Sequence, residues 1–215
     1  MSDKISIAVI KRLPRYYRYL GDLLDKDIAR ISSKELSDRM GITASQIRQD
    51  LNNFGSFGQQ GYGYNVELLY NEIKSILGLD KVYNLALIGA GNFGQTLVNY
   101  PNFAKRGFNF VALFDTNPAI IGTKVSGVEV FAATNLESFL AANHVDIVVL
   151  TTPASAAPGI AKTLAASNIK GIWNFSNSDI KVPAHITVEN VRLTDSLMTL
   201  SYRINHDEIL QRVGG

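Results

Sequence analysis

The 215-residue sequence predicts an α/β protein in which an N-terminal winged helix-turn-helix domain precedes a Rossmann-type domain with a parallel sheet. Two patterns lead to this prediction. Up to about residue 80, apolar residues recur at helical spacing between capping residues; from about residue 84, apolar strand-like runs alternate with helical segments. Such alternation is typical of βαβ units. We therefore expect domains at residues 1–80 and 81–192, followed by a helical segment at 193–215.

The first domain opens with three helical segments. Residues 5–26 show apolar positions at helical spacing, and Pro14 either starts the main helix or kinks it. Two short helices follow, each preceded by a predicted capping box, Ser32 with Glu35 and Thr43 with Gln46. The tight turn at residues 40–42 that separates them predicts a helix-turn-helix.

The second short helix and the segment after it are candidates for DNA binding. Ile47 and Leu51 face inward at a spacing of four, so the polar residues between them face outward. Alternating glycines and aromatic residues follow, which favours a β-hairpin, the wing of a winged helix. In that fold the second helix enters the major groove. A three-helix packing or dimerisation module is the alternative. The candidate DNA-binding residues are Ser45, Gln46, Arg48 and Gln49 on the helix and Phe57, Gly58, Gln60 and Gly61 in the hairpin.

The second domain contains a candidate dinucleotide site. Gly89, Gly91 and Gly94 form a GxGxxG motif that follows an apolar strand at 84–88 and opens a helix ending at Tyr100–Pro101. The next strand, 110–114, ends at Asp115, whose carboxylate suits the two ribose hydroxyls of NAD(H) and would repel the 2′-phosphate of NADP(H). The alternative is a helix-capping turn beside an ordinary loop aspartate.

Further strands are predicted at 128–130, 145–150, 171–175 and 186–188, with a helix at 157–166. Ligands of open α/β sheets bind beyond the carboxyl ends of the strands, so polar residues at those ends are candidates too, although plain β–α turns explain them equally well. The candidate cofactor-binding residues are Gly89, Ala90, Gly91, Asn92, Phe93, Gly94, Tyr100, Asp115, Thr151, Thr152, Pro153 and Asn174.

No catalytic residue is predicted. A dehydrogenase needs an acid or base beside the nicotinamide, but His144, His185 and His206 all lie away from the predicted carboxyl ends of the strands. About forty residues follow Asn174, too few for a separate substrate domain. An NAD-dependent oxidoreductase with a helical appendage nevertheless stays open as an alternative. So does a nucleotide- or coenzyme-A-binding interaction module without DNA function.

The composition limits other classes of protein. The sequence has no Cys, which excludes disulfides, thiol nucleophiles and Cys-ligated zinc, and no metal site is expected. No signal-peptide core or membrane-spanning apolar run is visible, so we expect a cytoplasmic protein. The net charge of +2 does not by itself indicate nucleic-acid binding.

Nine segments of the sequence together form a recognisable pattern: 12–20, 31–33, 48–58, 61–64, 89–94, 100–101, 114–115, 171–175 and 200–202. They resemble the Rex family of redox-sensing transcriptional repressors. The resemblance covers nearly the whole chain in order, and its N-terminal part is highly specific. It implies a homodimer whose C-terminal helices are exchanged between subunits, DNA binding that persists with NAD+, and release from operator DNA when NADH binds.

The resemblance also implies roles for single residues. Tyr100 would be a redox-sensitive side chain near the nicotinamide, and Arg18 would link the cofactor domain to the DNA-binding domain. Three positions depart from the family pattern. Gln49 and Gln60 stand where we expect Lys or Arg, and Arg192 stands where we expect an acid that pairs with Arg18. Asp195 is the alternative acidic partner.

Overall fold

The computed structural model describes residues 5–55, 58–59 and 63–213. The chain divides into two compact units, Met1–Lys81 and Val82–Gly215. Three of the candidate hairpin residues, Phe57, Gln60 and Gly61, lie outside the described residues.

The first unit has the predicted order of helix, helix pair and hairpin. Its three strands form an antiparallel sheet in the order β1-β3-β2. The two-residue strand β1, which was not predicted, pairs its Ile31 with Tyr64. The elements are α1 (Ile7–Leu24), β1 (Arg30–Ile31), α2 (Ser33–Met40), α3 (Ala44–Asn52), β2 (Gly58–Gln59), β3 (Gly63–Asn65) and α4 (Val66–Ile76).

Local capping sets the ends of these helices. The capping box between Ser32 and Glu35 is present, and α2 ends at Gly41 in the left-handed conformation, with φ 64°. The second predicted box is only half formed. Thr43 accepts from the backbone N–H of Gln46, but the side chain of Gln46 donates to Asp50 instead of returning to the cap. Pro14 does not start α1, which begins after Ser6 and continues through the proline.

One apolar face from each of the four helices forms the core of this unit. The helical spacing seen in the sequence accounts for these positions, because residues three or four apart share a face. The fully buried members include Leu13, Tyr16, Leu20, Leu36, Ile47, Leu51, Val66, Leu69 and Ile73.

The second unit is a seven-stranded sheet with helices on its faces. The described strands run parallel except for the edge strand β6, which pairs antiparallel with β7. The elements are β4 (Tyr83–Ile88), α5 (Asn92–Val98), β5 (Phe108–Asp115), β6 (Lys124–Val125), β7 (Val128–Ala132), α6 (Leu136–Ala142), β8 (Ile147–Leu150), α7 (Ala157–Ala165), β9 (Gly171–Asn174), β10 (Thr187–Asn190) and α8 (Leu193–Val213).

The order of the strands, β10-β9-β8-β4-β5-β7-β6, places the site. The chain winds outward from β4 in both directions, so β4 lies between β5 and β8. At the carboxyl end of β4, Ile88 pairs with Phe114 on one side and with Leu150 on the other. The loops after these three strands therefore meet at the topological switch point, where dinucleotides bind in this fold.

Three elements of the second unit differ from expectation. Helix α5 ends at Val98, before the predicted stop at Tyr100–Pro101, and the N–H of Tyr100 donates to Leu97, three residues back, instead of continuing the helical pattern. Strand β6 and helix α6 were not predicted. Helix α6 contributes Leu136, Phe139 and Leu140 to the core, a pattern too short to be recognised by periodicity.

Helix α8 is unlike the others because its apolar side chains are exposed on the second unit. The predicted stripe of Leu197, Leu200 and Ile204 is more than half exposed, as are Leu193, Met198 and Tyr202. Among the residues that the structure describes, no helix is both long enough and apolar enough to cross a membrane.

Candidate dinucleotide site and nucleic-acid interface

The glycine-rich loop turns sharply from β4 into α5. Gly89 has φ 100°, a conformation that favours glycine, and its N–H donates to the carbonyl of Phe114 at 2.8 Å. Gly94 lies against the back of the same turn, where an added Cβ would be 2.3 Å from the carbonyl oxygen of Gly89. At Gly91 an added Cβ would meet no atom within 4 Å. Gly89 and Gly94 therefore shape the loop, whereas Gly91 leaves space open beside it.

The loop after β8 is tied to the glycine-rich loop. The Oγ1 atom of Thr151 lies 2.7 Å from the carbonyl oxygen of Gly89 and 3.1 Å from that of Ile88. The backbone N–H of Thr151 also donates to Ile88, at 3.0 Å. Two strand ends on either side of the switch point are thus held together by the hydroxyl of one predicted residue.

A cavity of about 560 Å³ opens between the ends of β4, β5, β7 and β8. Half of the twelve candidate cofactor residues line it, namely Gly89, Gly91, Asp115, Thr151, Thr152 and Pro153. The other lining residues are Ile88, Phe114, Thr116, Ala133, Thr134, Leu136, Glu137, Ala156, Gly159, Ile160 and Thr163.

The hydroxyl of Thr152 has a distinctive position in this cavity. Its Oγ1 atom is buried and, among the residues that the structure describes, finds no hydrogen-bond partner. The neighbouring hydroxyl of Thr151, by contrast, already donates to backbone carbonyls of the protein. A buried polar atom without a partner is costly, so a ligand that supplied one would be favoured there.

Two carboxylates, those of Asp115 and Glu137, line this cavity. Asp115 ends β5, and its Oδ1 atom accepts from the N–H of Asn117 at 2.8 Å. No described residue forms a hydrogen bond or ion pair with its other oxygen. Glu137, in the first turn of α6, lines the same cavity and was missed, because α6 was not predicted. No Lys or Arg stands among the described lining residues. This end of the cavity is therefore unfavourable to a phosphorylated ribose.

The remaining cofactor candidates do not line the cavity. Asn174 is buried, and its amide is used within the protein: it donates to Ser178 and Asn190 and accepts from Ser176. Ala90 is buried behind the loop, whereas Asn92 is exposed at the start of α5.

Phe93 and Tyr100, both predicted to contact the cofactor, are exposed and joined by a chain of aromatic contacts. The rings follow one another from Phe93 through Phe175, Trp173 and Phe103 to Tyr100, with centroid separations between 4.6 and 5.6 Å. The sequence placed these aromatic residues in three separate segments. The sheet brings them to one side, next to the glycine-rich loop.

The face of α3 predicted to contact DNA is polar. Ser45, Arg48 and Gln49 are exposed, and Arg48 donates to the hydroxyl of Ser33 at 3.0 Å. Gln46 is only half-buried, since its side-chain amide is directed to Asp50. Of the candidate hairpin residues, only Gly58 lies in a described strand, β2.

Asp50 is a charged residue that the sequence analysis did not single out. It is fully buried in the middle of α3 and faces α1, where Arg12 contacts both of its oxygens, at 2.6 and 2.7 Å. The hydroxyl of Tyr16 donates to it as well, at 2.9 Å. Burial alone raises the pKa of Asp50, but the hydrogen bonds from Arg12, Gln46 and Tyr16 outweigh that effect and hold the pKa below its usual value. Burial and the same carboxylate raise the pKa of Tyr16.

The candidate switch residues lie on both units. Arg18 is exposed, with its guanidinium 5.5 Å from the ring centroid of Tyr19, and Asp195 is exposed in the first turn of α8. Arg192 is already engaged: it donates to Asp179 at 2.6 Å and to Asn177 at 3.0 Å. The described residues contain no group of three or more His, Cys, Asp or Glu that could hold a metal ion.

Comparisons with known proteins match both units. Residues 4–52 match a family model described as "Putative DNA-binding protein N-terminus". Residues 80–178 match a model described as a CoA binding domain. The redox-sensing transcriptional repressor Rex of Caldanaerobacter subterraneus subsp. tengcongensis is 57% identical over 217 residues, which cover 100% of this chain and 97% of that protein.

Solved structures of RSP, a Rex-family repressor, are also similar. One, in complex with β-NAD+ and operator DNA, has a TM-score of 0.90 and 55% identity and covers 99% of this chain and 98% of that chain. Another, in complex with β-NADH, has a TM-score of 0.90 and 52% identity and covers 98% of this chain and 99% of that chain.

Proposed function

The chain belongs to the Rex family of redox-sensing transcriptional repressors, and on that premise we propose that it binds operator DNA when NADH is low and leaves it when NADH binds. The observation that carries the proposal is the presence of two sites in one chain. The cavity beside the glycine-rich loop is lined by Asp115. The helix-turn-helix exposes Ser45, Arg48 and Gln49 to solvent. We assign DNA binding to residues 1–80, dinucleotide binding to 81–192 and subunit association to 193–215.

NAD(H) suits the cavity better than its phosphorylated relatives. The 2′-phosphate of NADP(H) or the 3′-phosphate of coenzyme A would meet the carboxylates of Asp115 and Glu137 without a described Lys or Arg to offset the repulsion. The match to a CoA binding domain therefore supports a nucleotide-binding fold rather than that ligand. We propose that Gly89, Gly91 and Thr152 contact the pyrophosphate side.

A homodimer accounts for the exposed apolar surface of the second unit. Leu197, Leu200 and Ile204 of α8 are exposed, which is costly for a helix that stays in water. An open apolar cleft of about 430 Å³, lined by residues such as Phe103, Phe108 and Trp173, lies on the same unit. We propose that a second copy covers α8, as the exchanged helices implied by the family would do.

The dimer explains how a small cofactor difference can control DNA binding. NAD+ and NADH differ by one charge on the nicotinamide, and a rigid rotation of two subunits can follow from a differential affinity for the two forms. Recognition helices must reach half-sites about one turn, roughly 34–36 Å, apart, so a modest rotation breaks the register. A tenfold change in DNA affinity needs about 1.4 kcal/mol of coupling.

We propose a regulator of the cytoplasm that does not turn over its cofactor. The three histidines support this assignment, since none of them lines the cavity, and His144 lies beside Asp146 at the opposite end of β8. An oxidoreductase would consume NADH in the presence of a small carbonyl substrate. That turnover is the observation that would favour the alternative.

The test uses the full-length protein and an operator selected with it. A pool of random-sequence duplexes is enriched on the purified protein in NAD+, and binding to the selected duplex is followed by fluorescence anisotropy alone, with NAD+, with NADH and with coenzyme A. Arg48→Ala serves as the variant of the DNA-binding face. We expect NADH alone to weaken binding of the wild type by tenfold or more, and Arg48→Ala to weaken it under every condition.

Equal DNA affinity in NAD+ and NADH would contradict the sensor and leave only a DNA-binding protein. Enrichment of no duplex, even at low salt, would contradict the DNA-binding function itself. Release by coenzyme A rather than NADH would reassign the cavity.

A further inference from the structure

We propose that Asp50 is a positioning residue for DNA recognition: it holds the side-chain amide of Gln46 in one orientation, so that Gln46 presents a fixed pattern of donor and acceptor to a base edge. The inference rests on the proposed function, because it requires α3 to be the helix that enters the major groove. It adds a role for a buried residue that cannot itself touch DNA.

Two residues of α1 fix the position of the Asp50 carboxylate. Asp50 is fully buried although it lies in a helix whose other face is polar. The planar guanidinium of Arg12 contacts both oxygens, at 2.6 and 2.7 Å, and the hydroxyl of Tyr16 donates to Oδ2 at 2.9 Å. Because both partners belong to α1, the carboxylate is fixed relative to the core and not only relative to its own helix.

The Asp50 carboxylate in turn holds the side-chain amide of Gln46. Gln46 and Asp50 are four residues apart on α3, and Nε2 of Gln46 donates to Oδ1 of Asp50 at 2.8 Å. An ionised carboxylate can only accept hydrogen bonds, so the amide must turn its nitrogen toward Asp50 and its oxygen away. Arg12 keeps Asp50 ionised, since its hydrogen bonds help to hold the pKa of that carboxyl below the usual value. The opposite orientation of the amide would bring two acceptors together.

The held amide of Gln46 can offer DNA one hydrogen-bond donor and one acceptor. One N–H of Nε2 is used on Asp50, and the second N–H and the carbonyl oxygen of Gln46 have no partner among the described residues, so both can bind a ligand. That pair matches adenine, which accepts at N7 and donates from N6. A glutamine that is free to rotate could reverse its amide and accept other base edges. Restriction by Asp50 therefore raises discrimination at one base pair.

Gln49 provides a comparison within the same helix. It is exposed one turn further along, and its side chain makes no hydrogen bond recorded among the described residues, whereas Gln46 is half-buried and held. We expect the side-chain amide of Gln46 to be as ordered as the backbone of α3 and that of Gln49 to be mobile. Relaxation of the side-chain ¹⁵N–H₂ groups, assigned with Gln46→Ala and Gln49→Ala, measures this order without any DNA.

The decisive experiment compares specific and non-specific binding. On the selected operator, the base pair read by Gln46 is the one at which Gln46→Ala loses discrimination. We expect Asp50→Asn to lose discrimination at that same pair by about tenfold, because an amide at position 50 cannot satisfy both Arg12 and Gln46. The double variant should lose no more than either single variant.

A purely structural role for Asp50 would give a different result. Asp50→Asn would then lower the affinity for all duplexes alike and would leave unchanged the ratio of affinities for operators with the correct and the substituted base pair. Asp146→Asn is the matched control, since it removes a buried, ion-paired acid from the second unit, and it should leave discrimination intact. Tyr16→Phe, which removes one bond to Oδ2 and none to Gln46, should also preserve it.

The possible failures are distinct. A folded Asp50→Asn variant that still discriminates at the base pair where Gln46→Ala does not would overturn this inference. The proposed function would be unaffected by that result. If Asp50→Asn does not fold, as circular dichroism would show, the relaxation measurement decides, and a Gln46 amide as mobile as that of Gln49 overturns the inference. A wild type that discriminates between no duplexes would overturn the proposed function instead.

Discussion

Gly94 lies so close to Gly89 that a Cβ added at Gly94 would be 2.3 Å from the carbonyl oxygen of Gly89. The two ends of the glycine-rich loop are therefore packed against each other and have no room for a side chain. The middle glycine differs, because a Cβ at Gly91 would meet no atom within 4 Å, and Gly91 lines the cavity. Gly89 and Gly94 thus serve packing, and we propose that Gly91 serves a second purpose, access for the ligand.

These two purposes can be separated by substitution. Gly94→Ala should destabilise the second unit by about 2 kcal/mol, because the backbone must move to relieve the contact. Gly91→Ala should leave the thermal midpoint unchanged and still lower the affinity for NADH by tenfold or more. Fluorescence of Trp173, the only tryptophan in the sequence, reports both unfolding of this unit and energy transfer to bound NADH. An unfolding midpoint lowered equally by both substitutions would contradict this division.

The two threonines after β8 form a second matched pair. Thr151→Val removes a hydroxyl that is bonded to the Gly89 carbonyl, so the unliganded protein should lose about 1 kcal/mol of stability. Thr152→Val removes a buried hydroxyl that has no partner among the described residues, so the unliganded protein should keep its stability or gain slightly. The affinity of Thr152→Val for NADH should fall about fivefold, as measured by fluorescence titration. Unchanged NADH affinity in Thr152→Val would show that the cofactor does not supply the missing partner.

Cofactor choice should depend on the two carboxylates of the cavity. Asp115→Ser should lower the affinity for NADH by about tenfold, because the ribose contact is lost. It should lower the affinity for NADPH less, so the ratio of the two affinities should decrease. Adding Glu137→Gln should decrease it further, since a second negative charge is removed. Parallel titrations with NADH and NADPH measure the ratio. A ratio equal to that of the wild type would mean that the carboxylates do not set the preference.

Acid should destabilise each unit through its own buried aspartate. Burial raises the pKa of Asp50 and of Asp146, but hydrogen bonds from Arg12 and from Lys170, respectively, reverse the shift, so both carboxyls have a lowered pKa in the folded protein. Their stabilisation is complete above the carboxyl pKa of the unfolded chain, about 4, and is lost as pH falls through the lower folded pKa.

Single substitutions test this assignment unit by unit. Asp146→Asn should flatten the acid dependence reported by Trp173 in the second unit, because the substituted side chain no longer titrates. Asp50→Asn should leave the fluorescence transition of Trp173 unchanged. It should flatten the acid dependence of the part of the helical circular dichroism that the first unit contributes. Movement of the Trp173 transition by Asp50→Asn would contradict separate contributions from the two units.

The redox switch should depend on Arg18 and on an acidic residue at a position other than 192, because residue 192 is an arginine. Arg192 is a cation engaged by Asp179, so Asp195 is the proposed partner of Arg18 across the dimer. Arg18→Gln and Asp195→Asn should each reduce the ratio between operator dissociation constants in NADH and NAD+, and together no further. Asp179→Asn is the control and should preserve the ratio. Loss of the ratio in Asp179→Asn alone would place the coupling on the Arg192 pair.

Sequence patterns predicted most of the architecture because they are local. The helix pair, the hairpin and the glycine-rich loop depend on spacings of three to five residues, such as Ser32 with Glu35 or Gly89 with Gly94. Helix α6 was missed because its seven residues are too few to show a period. Glu137 was missed with it, and Thr152 could be noticed but not distinguished from Thr151.

What the sequence determined by itself is the order of elements and the chemistry that each can offer, since caps, turns and amphipathic faces form between near neighbours along the chain. Only the tertiary structure decided which of those groups are used inside the protein. Asp50 becomes a buried acceptor because Arg12, 38 positions away, packs over it, and the amide of Asn174 donates to Asn190, 16 positions away. Burial and pairing over such distances depend on how helices and strands pack together, and no short spacing encodes that packing.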